Sequence, residues 1–530
     1  MKLRMPDCIA VYSGKRTVTS EADVILTVTQ EADALVPILT AGETPISYVC
    51  LSWQFRDDEK RNEPVRVLGD TWERGYGDLE WRGIAAERVM PWYCMVSNGS
   101  DSETDCTNRR TECFGVRVRP NAFCSWQYSE SEVTLILDLR NGSEGVLLGG
   151  RTLRVAEILF ADYIGISAYK SGEHFCRQMC TDPLLPAEPV YGFNNWYYAY
   201  GKSSSEEILA DTDRLADCCG ALPVHPYMII DDGWQLNACD GPWDITNERF
   251  PDMRALAAEI AHRGAKPGLW FRPLYQHSEN ARIPENWRLT RNPAVLDPSV
   301  PEVIDYVEKT LKRFRDWGYR LVKHDFTTYD ILGKWGMEMP GVIEADGWTF
   351  ADHSRTTAEI ILELYRRIRH AAGDMVVIGC NTVSHLCAGL AELMRTGDDT
   401  SGMEWKRTRK MGVNTVAFRS IQNRAFYMAD ADCSGITPNI DWKLNARWLR
   451  LLSYSDSPLF VSWNPISDIP VIREAVTNAF RENIRPHRLV PLDWMENRCP
   501  QRWLIDGVVQ QFDWNCDDPS NLSAVPVYLN

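Results

Sequence analysis

Between residues 190 and 465 the sequence repeats one alternation, a short apolar run followed by an amphipathic stretch, and this most constrains its fold. The runs are Val190–Trp196, Tyr227–Asp231, Pro267–Phe271, Arg320–Asp325, Met375–Cys380, Leu393–Arg395, Phe426–Met428 and Leu459–Trp463. Runs this short and continuously apolar suit strands buried on both faces, and regular alternation with helices demands parallel pairing. Helical signals lie between them. Ser203-Ser204-Ser205-Glu206 has the form of a capping box opening a helix to about Cys219, and Met253–His262, Pro301–Trp317 and Ala358–Ala371 read as amphipathic helices. Eight such units close into a (β/α)8 barrel.

In such a barrel the reactive groups gather past the C-terminal ends of the strands. Polar and aromatic clusters stand there in series: Asn194-Asn195-Trp196, Asp231-Asp232-Gly233-Trp234, Trp270-Phe271-Arg272, Lys323-His324-Asp325, Gly379-Cys380-Asn381, Arg395 through Asp399, and Asp430-Ala431-Asp432. Any one could be a helix N-cap; seven in series are harder to explain that way. Strand alternation points Lys323 and Asp325 to the same side. A cation beside a carboxylate keeps the latter ionised, as a carboxylate nucleophile requires, although an ordinary strand-end ion pair reads the same locally.

Together these stretches resemble the α-galactosidases of glycoside hydrolase family 36 and, more loosely, family 27. The resemblance rests on Asn194–Tyr197 with Tyr200, Ile229–Trp234, Gly241–Phe250 followed by Lys266–Trp270, Gly318–Phe326, Ile378–Cys380, Met394–Thr400 and Phe426–Cys433, in the family's order. It implies a retaining α-galactosidase working through a covalent glycosyl-enzyme. By the pattern Lys-x-Asp, Asp325 would be the nucleophile, with Lys323 binding the sugar and holding that carboxylate. The family's acid/base follows an arginine by four residues, which from Arg395 selects Asp399 over its neighbour Asp398. Asp231 and Asp232 match the paired aspartates that grip the 4- and 6-hydroxyls. Trp196, Trp234 and Trp270 would offer apolar faces to the sugar, while Arg395 and Cys380 match family residues beside it.

Three positions depart from the family. Arg272 stands where relatives carry a small or acidic residue, so contact with a leaving group or an acidic substituent is open. His324 should point toward the helices as a core histidine. Met428 through Asp432 replaces Asn-Asp-Pro-Asp, which makes Asp430 and Asp432 supports for the site.

The remaining features bound the alternatives. A formal charge of −16 argues against nucleic acid or an anionic membrane surface as partner. No apolar stretch is long enough to span a bilayer, and Met1–Ala10 lacks the apolar core of a signal peptide, so a cytoplasmic location is expected, with the 16 cysteines as thiols. Neither cysteine nor histidine spacing suggests a metal, and no cofactor is expected. The first part of the chain is β-rich, with Val24–Val28, Ser47–Phe55, Ala86–Val96, Cys113–Val118 and Glu132–Leu139 as short strand candidates. The expected division is an N-terminal β-sandwich (1–165), a helical linker (166–188), the catalytic barrel (189–485) and a short C-terminal β region (486–530). Within the sandwich, Asp70 through Asp78 is too polar and aromatic for a plain hairpin, and by the family resemblance it is expected to reach an active site. The expected partner is an α-galactoside oligosaccharide or glycoconjugate, with a homo-oligomer left open. α-N-acetylgalactosaminidase activity, galactosyl transfer of the raffinose-synthase type, and a catalytically silent sugar-binding barrel stand as alternatives.

Overall fold

A computed structural model describes residues 1–57, 59, 63–98, 106–277, 279–339 and 347–515. The first part folds as two antiparallel sheets, one of six strands and one of seven. Strand alternation builds the space between them. In Tyr48–Gln54 and Glu132–Asp138, the residues Val49, Leu51, Trp53, Val133, Leu135 and Leu137 are buried while their neighbours face outward. Trp53 and Trp126 of one sheet meet Phe160 and Phe114 of the other, with Trp53 edge-on to Phe160 at 5.0 Å between centroids. Strands Cys8–Ser13, Ala34–Ala41, Val65–Gly69, Phe123–Tyr128 and Ile158–Ile164 lie outside the expected runs. The helix Ala168–Met179 follows the last sandwich strand, capped by the Ser167 hydroxyl.

The barrel sheet is parallel and contains all eight expected runs. Tyr191–Asn194, Tyr227–Ile230, Lys266–Phe271, Leu321–His324, Val376–Gly379 and Leu393–Arg395 pair in that order. The seventh run differs from expectation. It starts at Met428 rather than Phe426 and comes in two pieces, Met428–Asp430 and Cys433–Ile436. The first piece pairs with Leu393–Arg395 and the second with Leu459–Trp463, which returns to Tyr191–Asn194. Ala431-Asp432 makes the handover, with Asp432 in the left-handed region at φ 71°, and the sheet closes on itself.

Helices cover the outside. The one from Ser205 to Cys219 is capped by Ser204, whose hydroxyl accepts the Glu207 amide, one residue later than the expected capping box. Pro301–Trp317 ends at Gly318, left-handed at φ 106°, and Thr357–Ala372 opens with a Thr356–Glu359 capping box. Three further strands, Leu489–Pro491, Arg502–Ile505 and Val508–Gln511, form a small antiparallel sheet near the end of the described chain. Among the described residues no helix is long and apolar enough to cross a membrane, and the described cysteines are free thiols.

Alternation along the barrel strands sets up the site. Inward positions carry a small separate apolar cluster that includes Tyr227, Ile229, Leu321, Ile378, Leu393, Met428 and Phe460. Two residues further along four of these strands, the same inward face carries Asp231, Lys323, Cys380 and Arg395. The first strand closes against the second through Gly192. Its φ is 151°, and a β-carbon there would stand 1.9 Å from the Tyr227 carbonyl oxygen. Gly192→Ala is therefore expected to cost on the order of 3 kcal/mol from backbone strain and overpacking, read as a lowered denaturant midpoint. A variant as stable as the parent would contradict this strand placement.

Candidate active site

A pocket of about 340 Å³ opens at the C-terminal end of the barrel. Of the residues expected at the site, Trp196, Asp231, Asp232, Trp270, Lys323, Asp325 and Asp399 line it, together with Asp398. Cys380 and Arg395 sit behind its wall, fully buried.

Asp325 directly follows the fourth strand. Phe326, left-handed at φ 65°, turns the chain so that its amide donates to Asp325 Oδ1 at 2.7 Å, while Trp270 Nε1 donates to Oδ2 at 3.1 Å. Burial pushes this carboxyl up, but Lys323, Arg74 and the Trp270 bond outweigh it and hold it below the usual range. Lys323 acts on Asp325 only through its field. Its direct partner is Asp231 Oδ2, at 2.7 Å, which differs from the expected clamp on the neighbouring carboxylate. Asp231 also accepts the Asn194 amide group and the Asp232 backbone amide. Asp232 is held by neutral donors: Gln235 Nε2 at 2.5 Å, the Cys239 amide at 2.8 Å and the Cys239 thiol at 2.9 Å.

Asp399 and Asp398 have different surroundings. Asp398 bridges two arginines, Arg74 Nη2 at 2.8 Å and Arg407 Nη2 at 2.6 Å. Asp399 accepts from Arg395 Nη2 and from Trp196 Nε1, both at 3.2 Å, and its side chain stays 32% exposed. Burial pushes Asp399 up, yet Arg395, Arg74 and Lys323 bring it down to about 2. Arg395 is fixed from behind by Asp432 Oδ2 at 3.0 Å, and Asp432 in turn accepts the Tyr197 hydroxyl and the Thr400 amide. Asp430 accepts the Asp432 amide, and burial raises it to about 6.

Three residues singled out in the sequence lie elsewhere. Arg272 is locked onto the buried carboxylate of Asp330 and stacked between Tyr275 and Phe326, so its charge is already matched. Trp234 is fully buried, donates to the Trp270 carbonyl and serves as packing. His324 points outward to Thr327 and Tyr365, with burial lowering it to about 4, as a core histidine does.

The remaining lining comes from loops. Arg74 and Tyr76 arrive from the sandwich loop, and Cys239, Trp335, Met337 and Arg407 from segments following barrel strands, Met337 and Arg407 in short helical turns. Only the sandwich loop carried a sequence signal, its density of aromatic and charged residues. Among the described residues no group of three or more His, Cys, Asp or Glu side chains is arranged to hold a metal ion.

No protein-family model matches the chain, and no curated protein matches it. Solved structures do. An α-galactosidase from Thermus thermophilus, in complex with p-nitrophenyl α-D-galactopyranoside, superposes with a TM-score of 0.61 over 92% of this chain and 99% of that one, at 16% identity. A glycoside hydrolase family 36 α-galactosidase from Geobacillus stearothermophilus gives 0.58 over 90% and 72%, at 13% identity. The galactosidase domain of an α-galactosidase–sucrose kinase gives 0.58 over 90% and 71%, at 14% identity. At these identities the likeness is one of fold: the chain has the sandwich and barrel of the family 36 α-galactosidases.

Proposed function

We propose that this chain is a retaining α-galactosidase that hydrolyses terminal α-galactosides through a covalent glycosyl-enzyme. The observation that carries the reading is the pair Asp325 and Asp399 opening onto one pocket, with Asp398 held apart by two arginines. Retention needs two carboxyl groups flanking the scissile bond, one to attack and one to serve the leaving oxygen. The complexes of the Thermus enzyme with p-nitrophenyl α-D-galactopyranoside and with stachyose support the substrate class.

In this reading the Asp325 carboxylate attacks the anomeric carbon while Asp399 gives its proton to the departing oxygen. The Trp270 and Phe326 N–H groups orient the attacking carboxylate. Esterification then removes a negative charge near Asp399, which lowers its proton affinity and suits its second role, as the base that activates water. Arg395 would orient Asp399, and Trp196 and Trp270 would cover the sugar's apolar faces. Cys380 lies behind the wall beside the Arg395 and Arg74 guanidinium groups.

The test separates the adjacent aspartates. Asp399→Ala is expected to slow substrates with poor leaving groups by about 10²- to 10⁴-fold, and activated aryl galactosides far less. Azide should rescue it and yield the α-galactosyl azide, whereas Asp398→Ala should show neither behaviour. If the two variants exchange behaviours, Asp398 is the acid/base; a β-configured azide product would defeat the retaining mechanism.

The cations around Asp399 set a second expectation, since they outweigh burial and hold its carboxyl below the usual range. A general acid is lost as pH rises through its pKa, and kcat/KM reports the free enzyme whereas kcat reports the complex. In the empty pocket Arg395 and Arg74 favour the charged form. A bound sugar covers the carboxylate and presents an oxygen that favours the protonated form. The alkaline limb of kcat/KM should therefore lie at lower pH than that of kcat. Coincident limbs would contradict this account of the acid.

A further inference from the structure

Glu73 is fully buried where three loops meet, and the chemistry above leaves it without a role. One carboxylate oxygen accepts the Tyr76 hydroxyl and the Gly336 amide, the latter at 2.7 Å, and the other accepts the Asn381 side-chain amide. Tyr76 belongs to the sandwich loop, Gly336 to the loop after the fourth barrel strand, and Asn381 follows the fifth. Gly336 has no room for a side chain, since a β-carbon there would stand 2.5 Å from Glu73 Cγ. Next to this joint the sandwich loop pairs with the loop that carries Asp398 and Asp399. Gly75 donates to the Thr396 carbonyl at 2.8 Å, and the Asp398 amide donates back to the Gly75 carbonyl at 3.0 Å.

Arg74 is the next residue along the chain from this joint. Its guanidinium reaches Asp398 Oδ1 at 2.8 Å, lies 5.3 Å from the centre of the Trp335 ring and approaches Cys380 Sγ at 3.7 Å. Tyr76, Trp335 and Met337 complete that side of the pocket. A contact between sandwich and barrel that served cohesion alone would be made more cheaply by apolar side chains than by a buried carboxylate. Three donors converging on the two oxygens of one carboxyl group instead fix relative position, because each hydrogen bond constrains both direction and distance.

We propose that Glu73 is a positioning residue. It clamps the sandwich loop to the loops after the fourth and fifth strands and thereby sets Arg74 and Tyr76 against the wall beside Asp398 and Asp399. The sandwich is in this way part of the catalytic apparatus. The inference rests on the glycosidase reading of the pocket, but the clamp has a readout of its own.

The test is Glu73→Gln, with Glu73→Gln/Asn381→Asp as its rescue. In the single variant one amide must turn its NH2 toward the Asn381 NH2, two donors facing each other. In the double variant the new amide at position 73 donates to the new carboxylate at position 381, which can still accept the Tyr329 amide that Asn381 Oδ1 holds at 3.0 Å. Hydrogen exchange is followed in peptides covering 70–82, 333–339 and 396–399, beside kcat/KM for p-nitrophenyl α-galactoside. The single variant should exchange faster in those peptides and lose on the order of 10²-fold in kcat/KM, as displacement of site groups does. The double variant should recover both. Unchanged exchange in the three loops, or faster exchange spread over the whole barrel with no recovery in the double variant, would overturn the clamp. A wild-type protein that turns over no α-galactoside would defeat the proposed function instead, and the exchange comparison would still decide whether Glu73 holds the loops.

Discussion

Replacing Asp325 by asparagine should reduce turnover of p-nitrophenyl α-galactoside by roughly 10⁴- to 10⁶-fold, the scale on which loss of a covalent nucleophile is felt. The amide keeps the shape of the carboxylate but cannot form the glycosyl ester. Its oxygen can accept one of the two N–H groups now offered by Trp270 and Phe326, so one donor is left facing an NH2. That mismatch should lower stability by about 1–3 kcal/mol, too little to unfold a protein of ordinary stability. The expected result is a cooperatively melting protein that still binds galactose and has lost turnover by that factor. Turnover within tenfold of the wild type would remove Asp325 from the mechanism.

The barrel was legible because parallel strands buried on both faces read as continuous apolar runs, and six of the eight runs pair in simple order along the chain. The seventh resisted for a physical reason. Asp430-Ala431-Asp432 interrupts it with polar residues and a left-handed turn that no apolar pattern encodes, and the turn moves the strand from one neighbour to the other. The strand-end residues were legible through alternation: once Leu321 faces inward, Lys323 and Asp325 must too.

Alternation gives a face but no partner. Whether Lys323 meets Asp325 along its own strand or Asp231 across the barrel depends on the barrel's width and the lysine's reach, and the structure has it on Asp231. Arg272 shows the same limit, since it follows the third strand while its partner Asp330 sits in Thr327–Leu332, the helix after the fourth, and the two meet only once neighbouring strand–helix units are packed. Trp335 and Met337 were not legible at all. They matter through where their loop docks, and that docking involves Glu73, more than 250 residues earlier in the chain.

The two aspartates after the second strand are expected to set a specificity as large as the chemistry itself. Asp231 has its charge matched by Lys323 and also accepts the Asn194 and Asp232 amides, so it holds the lysine in place at the pocket wall. Asp232 has only neutral donors around it and lines the pocket. A carboxylate so placed gains charge-assisted hydrogen bonds from a sugar whose hydroxyls reach it and is left under-satisfied by one whose hydroxyls do not. Sites of this kind reject the wrong analogue by about 10⁴-fold or more. The 4-hydroxyl of a galactoside is axial and that of a glucoside equatorial, so aryl α-glucosides should be cleaved at least about 10⁴-fold more slowly than aryl α-galactosides. Asp232→Asn keeps an acceptor for the Cys239 amide and should weaken galactose inhibition by about 1.5–3 kcal/mol, the worth of a hydrogen bond to a charged group. Asp231→Ala would strand the Lys323 ammonium without its carboxylate, and its loss of stability would obscure any effect on binding. Comparable cleavage of gluco- and galacto-configured substrates by the wild type would remove Asp232 as the selector, while the roles of Asp325 and Asp399 would stand untouched.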